Sequence, residues 1–270
     1  MRNIFECARE CIATADPDRK CLLTREAQQA WQENVIDFSM PALGPDDIAD
    51  PGRPAKPQLV PPSQLPRRKL GSGEGRAAFL HALAHIEFNA INLAWDAVYR
   101  FRDMPVDYYS DWLGVAADEA RHFALLRERL RDLDHDYGDF PAHDGLWDMA
   151  VRTAHDVLAR MALVPRVLEA RGLDVTPSMI SRLRQLGDME SVRILDIILQ
   201  DEIGHVECGS RWFKHLCRER GLEPLPTFMT LIDEFLQGRV RRPLNLEARI
   251  KAGFCDNELE LLKTLAMEPA

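Results

Sequence analysis

The amino-acid sequence predicts an all-α protein built on four long helices, and three observations carry that expectation. Four segments between residues 76 and 220 repeat their apolar residues at a period near 3.6. The strict alternation that marks a half-buried strand appears nowhere for any useful length. Gly, Pro and Asp punctuate the chain between the periodic segments, where helices should start and stop.

Taken in order, residues 1 to about 36 read as two short helices, with Asp16-Pro17 between them and Thr24 as the cap of the second. From Pro41 to Pro66 prolines recur too often for a regular element, which leaves a linker or an extended strap. Leu59, Val60 and Leu65 favour a strap laid over the helices. Gly71-Ser72-Gly73 then breaks the chain. The first long helix spans about Arg76 to Arg102, with Leu80, Leu83, Glu87, Ile91, Ala94, Val98 and Phe101 on one face. The second spans about Asp107 to Asp132 and aligns Trp112, Val115, Glu119, His122, Leu126 and Leu130. The third spans about Gly145 to Arg171, with Val151, Ala154, Leu158, Met161, Pro165 and Glu169 in register. The fourth spans about Asp188 to Arg220 and carries Val192, Leu195, Leu199, Glu202, His205, Phe213 and Leu216. Each stripe is the core side of an amphipathic helix. Smaller helices follow near Pro226 to Gln237 and Asp256 to Ala266. The expected organisation is an N-terminal part (1–75), a four-helix bundle (76–220) and a C-terminal helical extension (221–270), packed as one domain.

Composition excludes several classes of function. The 46% hydrophobic and 29% charged fractions are those of a globular protein able to bury a core unaided. A net charge of -9 argues against general affinity for nucleic acid or anionic membranes. No apolar run approaches the ~20 residues that a membrane helix needs, and the first residues lack the apolar stretch of a signal peptide. The six cysteines form no Cys-x-x-Cys pair, which removes a rubredoxin-type iron site and points to reduced thiols in a cytoplasmic protein.

The polar residues within the apolar stripes carry the chemistry. Asp118-Glu119-Ala120-Arg121-His122 and Asp201-Glu202-Ile203-Gly204-His205 are the same D-E-x-x-H pattern on two helices. Glu and His three apart project from one face toward one point. A buried carboxylate costs on the order of several kcal/mol unless it is paired or bound to a metal. Glu87 lies 32 residues before Glu119 and Glu169 lies 33 before Glu202, spacings that suit two helix hairpins related by an approximate two-fold axis. Four Glu and two His converging in a bundle form the ligand set of a di-iron or di-manganese carboxylate centre. Oxygen-rich ligation with two imidazoles suits iron, manganese or a mixed pair. Glu169 has two readings: a ligand aimed by a bend at Pro165, or an acid near a helix end just before Gly172. Asp118 and Asp201 either orient the ligand histidines through their second ring nitrogen or face solvent. His85 and His155 read as core or rim histidines, Trp95, Trp112, Trp147 and Trp212 as packing, and Arg67-Arg68-Lys69 and Arg239 to Arg242 as solvated runs.

The D-E-x-R-H form at 118–122 resembles the signature of bacterial di-iron oxidases, desaturases and ferritin-like proteins. His81 to Glu87, Tyr137-Gly138-Asp139, Leu146-Trp147, Glu169 to Asp174, Asp201 to Val206 and Ala248-Arg249 together resemble the bacterial ferritin-like proteins grouped as domain of unknown function 455. The resemblance runs from about residue 15 to 265 and implies a ferritin-like four-helix bundle with a di-metal site, but no established reaction. More distantly the chain is similar to the ferritin-like tRNA hydroxylases, though its acidity argues against that substrate. The leading expectation is an O2-activating di-iron oxidase or monooxygenase acting on a small molecule, with no electron donor specified and a homodimer as one possible assembly. In it Glu119 and Glu202 bridge the metals, His122 and His205 ligate one each, and Glu87 and Glu169 are terminal ligands. Iron oxidation and storage is the alternative, which the long N- and C-terminal parts disfavour because they obstruct tiling into a shell. A scaffold that keeps metal for structure alone is a third class.

Overall fold

The computed structural model describes residues 2–39, 41, 44–65 and 70–267. The basic run at 67–69 lies outside the described residues. The protein is mostly helical and divides into two compact units, residues 1–151 and 152–270. No described helix is long and apolar enough to cross a membrane. All six cysteines are free.

The first unit begins with β1 (Arg2–Asn3), α1 (Ile4–Ala13) and α2 (Pro17–Gln32), and β1 pairs in parallel with β2 (Ile36–Asp37). Asn3 caps α1 by accepting from Phe5 N. The expected cap for the second helix is corrected. Asp16 accepts from Arg19 N at 2.7 Å with Pro17 at the first helical position, the residue types that helix starts prefer. Thr24 lies inside α2, where its hydroxyl donates to Lys20 O and accepts from Trp95 Nε1. Two long helices follow, α3 (Gly73–Arg100) and α4 (Val106–Arg131), joined by a short turn and folded along each other. Ser72 caps α3 through Gly75 N. α1 packs on α3 and α2 on α4, so the amphipathic N-terminal helices cover the outside of the hairpin. The described part of the proline-rich segment is a strap on this unit. Gly52 N donates to Ile12 O at 2.7 Å, Val60 N donates to Ala142 O, and Trp147 Nε1 of α5 (Gly145–Arg152) donates to Ala49 O. A Cβ at residue 52 would lie 2.2 Å from Ala13 O, so only glycine permits that approach.

The second unit departs from the expected single helix over 145–171. The chain leaves α5, turns at Thr153–Asp156, and resumes as α6 (Val157–Leu163), a π-helical turn (Val164–Glu169) and α7 (Ala170–Gln185). Asp156 makes the break. Its backbone is extended, its carboxylate caps α6 through Leu158 N, and Arg220 grips it at 2.6 and 3.0 Å. The helix also does not stop at Gly172, and it continues through Pro177. Gly and Pro inside a helix cost about 1 and about 3 kcal/mol relative to Ala. Burial of Leu173, Ile180 and Leu183 contributes about 1.5–3 kcal/mol each and outweighs that cost. α8 (Met189–Glu219), capped by Asp188, folds back along α7, α6 and the π turn. α9 (Pro224–Leu236), α10 (Leu246–Lys251) and α11 (Asp256–Leu265) complete the unit, with β3 (Val240–Arg241) and β4 (Ala266–Met267) paired in parallel.

Candidate metal centre

In the first unit α3 and α4 bring three of the expected ligands to one point. Glu87, Glu119 and His122 each offer a ligand atom, and these lie within 4.8 Å of one another. His122 Nδ1 is 3.3 Å from Glu87 Oε2 and 3.4 Å from Glu119 Oε2. The three side chains are 5%, 1% and 0% exposed. Their depth follows from the stripes, because Ala84, Phe88 and Ile91 on α3 and Val115, Phe123 and Leu126 on α4 are buried around them. Burial and the neighbouring Glu119 charge push the Glu87 carboxyl well above the usual carboxylate range. Burial pulls His122 down, but its hydrogen bonds to Glu119 and Glu87 outweigh that and hold its pKa up at about 11. Two carboxyl groups facing one imidazole at this depth call for positive charge, which a proton on His122 or a bound cation would supply. A divalent first-row metal fits the same oxygen-and-nitrogen donors, displacing the proton as it binds.

The second unit repeats half of this arrangement. On α8, His205 Nδ1 lies 3.5 Å from Glu202 Oε1, as His122 lies from Glu119, and both side chains are buried. Glu169 is the last residue of the π turn and is half-buried. The turn is pressed against α8 where Pro165 meets Gly209, since a Cβ at residue 209 would lie 2.3 Å from Pro165 Cγ. α8 runs antiparallel to α6 and the π turn, so counting four residues forward from Pro165 and four back from Gly209 pairs Glu169 with His205 in register. The reading of Glu169 as an acid near a helix end is therefore corrected: the helix runs 16 residues beyond it.

Asp118 is half-exposed and takes an ion pair from Arg121 at 2.9 Å. Asp201 is half-buried in a groove it shares with Arg184, Met189 and Arg193. His85 is a satisfied core histidine, 2.9 Å from Tyr137 Oη and 3.1 Å from His143 O, and burial pushes its pKa down to about 4. His81 Nε2 accepts from Gly138 N, so the His81–Glu87 and Tyr137–Asp139 segments meet. Tyr137 stands against Phe88 and Phe123, the neighbours of Glu87 and His122, and adds to an aromatic wall beside the three ligands. His155 stacks on Phe235 at the surface. Sequence reasoning passed over Arg166. Its signal was a lone cation within the apolar run Ala162-Leu163-Val164-Pro165-Arg166-Val167-Leu168.

The family model for "Protein of unknown function (DUF455)" matches residues 13–260. An "Uncharacterized protein" of Haemophilus influenzae (strain Rd) is 46% identical over 262 residues, covering 92% of this chain and 90% of that protein. No solved structure matches. With a match over nearly its whole length, the chain belongs to the DUF455 family.

Proposed function

We propose that the chain is a di-iron carboxylate protein of ferritin-like four-helix architecture that activates O2 as an oxidase or monooxygenase. Glu87, Glu119, His122, Glu169, Glu202 and His205 would share one metal pair, with manganese or a mixed pair as the alternative content. The observation that carries this reading is the buried convergence of Glu87, Glu119 and His122, supported by the matching Glu202 and His205 pair. Bound iron would supply the capacity to reduce O2 and oxidise a small molecule held beside it. The chain's own residues do the rest. Four carboxylates would balance the charge of two divalent ions, with Glu119, Glu202, His122 and His205 among the residues that would hold them. Glu87 and Glu169 complete the sets. Phe88, Phe123 and Tyr137 keep water from the first unit's ligands and hold their rotamers. The proposed setting is the cytoplasm, with O2 and a small-molecule substrate as partners.

The test is metal content after anaerobic reconstitution with ferrous iron, followed by the optical spectrum on exposure to O2. About two irons per chain in the wild type, cut by at least half in Glu119→Ala and in Glu202→Ala, is the expected result. No bound transition metal in the wild type would sink the proposal, and iron far above two per chain would replace it with storage.

A further inference from the structure

The π turn that carries Glu169 is anchored by a charged residue where an apolar one would be cheaper. Arg166, three residues before Glu169, is fully buried. Its guanidinium faces three phenylalanine rings, with centroids 4.5 Å (Phe213), 4.2 Å (Phe228) and 4.6 Å (Phe254) away. Its Nε donates to Ser210 Oγ at 3.2 Å, and Nη2 donates to Glu258 on α11, 92 residues on in the chain. Glu258 is itself 1% exposed and is fixed by accepting from Cys255 N at 2.9 Å. A buried ion pair is often no more stabilising than apolar residues of the same volume, so stability alone does not explain this one. Its geometry does more. A π turn holds a surplus residue against regular α-helical hydrogen bonding and recurs at functional sites. Here Pro165 is seated on Gly209 and Arg166 is clamped between α8, α9 and α11. Two consecutive residues of the turn are thereby fixed in direction, and Glu169 follows within one turn.

We propose that Arg166, held by Glu258, is the positioning residue that sets the Glu169 carboxylate level with His205 for metal binding. This rests on the reading of Glu169 as a ligand. It also gives the C-terminal helix a task at the centre, because α11 supplies the carboxylate that orients the arginine. Partners one step removed from a metal ligand typically affect its affinity 10–100-fold. A matched control exists in the same unit. Arg249 and Asp174 form an equally buried pair, at 2.7 and 2.9 Å, that joins α10 to α7, and Arg249 meets the Arg166 cluster only at the Phe254 ring, which it faces at 5.1 Å.

The experiment loads the metal-free full chain with Co(II) under anaerobic conditions and follows stoichiometry, affinity and the visible ligand-field bands. The wild type is expected to bind two Co(II). Glu258→Gln and Arg166→Lys should weaken one of the two sites at least tenfold and change its bands, leaving the other site as it was. Asp174→Asn should lower stability but leave both sites and both sets of bands at wild-type values. Phe228→Leu keeps the position apolar, removes one ring from the arginine, and should weaken the same site severalfold if Glu258→Gln does not fold. Two wild-type sites in Glu258→Gln, or equal losses in Glu258→Gln and Asp174→Asn, would overturn the positioning role while leaving the metal reading intact. No Co(II) bound by the wild type would instead remove the metal reading and this inference with it.

Discussion

Two glycines on α8, five residues apart, should respond to alanine with opposite signs. At Gly209 the added Cβ would lie 2.3 Å from Pro165 Cγ and 2.4 Å from Pro165 Cβ. Carbon atoms in ordinary contact sit near 3.5–4.0 Å, so α8 and the π turn would have to separate by more than an ångström. The proline ring has no rotamer by which to yield, and Arg166 beside it is clamped. Overpacking of this kind costs about 1–3 kcal/mol, and the top of that range applies. Alanine returns about 1 kcal/mol of helix propensity. The expected net effect of Gly209→Ala is therefore a loss of about 2 kcal/mol. Gly204 is exposed and would place its Cβ in open space, so Gly204→Ala should gain about 0.5–1 kcal/mol. Urea unfolding of the metal-free chain, with hydrogen exchange along α8 to localise the change, measures both. A Gly209→Ala protein as stable as the wild type, or equal shifts in the two variants, would refute the close-approach argument.

Three further outcomes are expected. Lys20 is fully buried, with Nζ 2.6 Å from Cys11 O, 3.2 Å from Ile12 O and 2.5 Å from Asn92 Oδ1, and burial lowers its pKa from 10.5 to about 7. The unfolded chain then binds the extra proton between about pH 7 and 10.5, so the stability of the wild type relative to Lys20→Met should rise across that window; urea midpoints at pH 7 and pH 10 that differ by the same amount would count against it. Gly52→Ala should detach the strap from α1 through its 2.2 Å clash with Ala13 O, visible as faster proteolysis between residues 44 and 65 than in the wild type. Asp156→Ala removes the cap of α6 and the Arg220 pair, and should cost about 1–2 kcal/mol in thermal or urea unfolding.

The sequence carried the parts of this fold that repeat locally. The helices at 73–100, 106–131 and 189–219 lie within a few residues of their periodic stripes, because each buries one continuous face. The Glu87, Glu119 and His122 convergence was legible for the same reason: a polar residue on an apolar face has to meet something. The region from 145 to 185 was not legible. Its apolar residues keep a helical period through the Asp156 break, and a π turn changes the count by one without changing the residue types. Gly172 looked like a stop because local propensity opposes the helix there, whereas tertiary burial of Leu173 and Leu183 decides it. The Thr24 assignment failed similarly. A hydroxyl suited to capping was used to satisfy a buried indole instead, and a partner 71 residues away leaves no trace in the local pattern.

The turn at 164–169 differs from ordinary α-helix by about one residue, hence by one codon. A one-residue in-frame deletion there would let ordinary α-helix replace the π turn with α6 and α7 in nearly the same rotational phase, yet it would re-aim the residues of the turn itself, Arg166 and Glu169 among them. The second unit thus carries something like a reading frame in its backbone, and the face on which Glu169 emerges is encoded by length as well as by chemistry. Insertions and deletions in this stretch should be scarcer among working relatives than substitutions at the same positions.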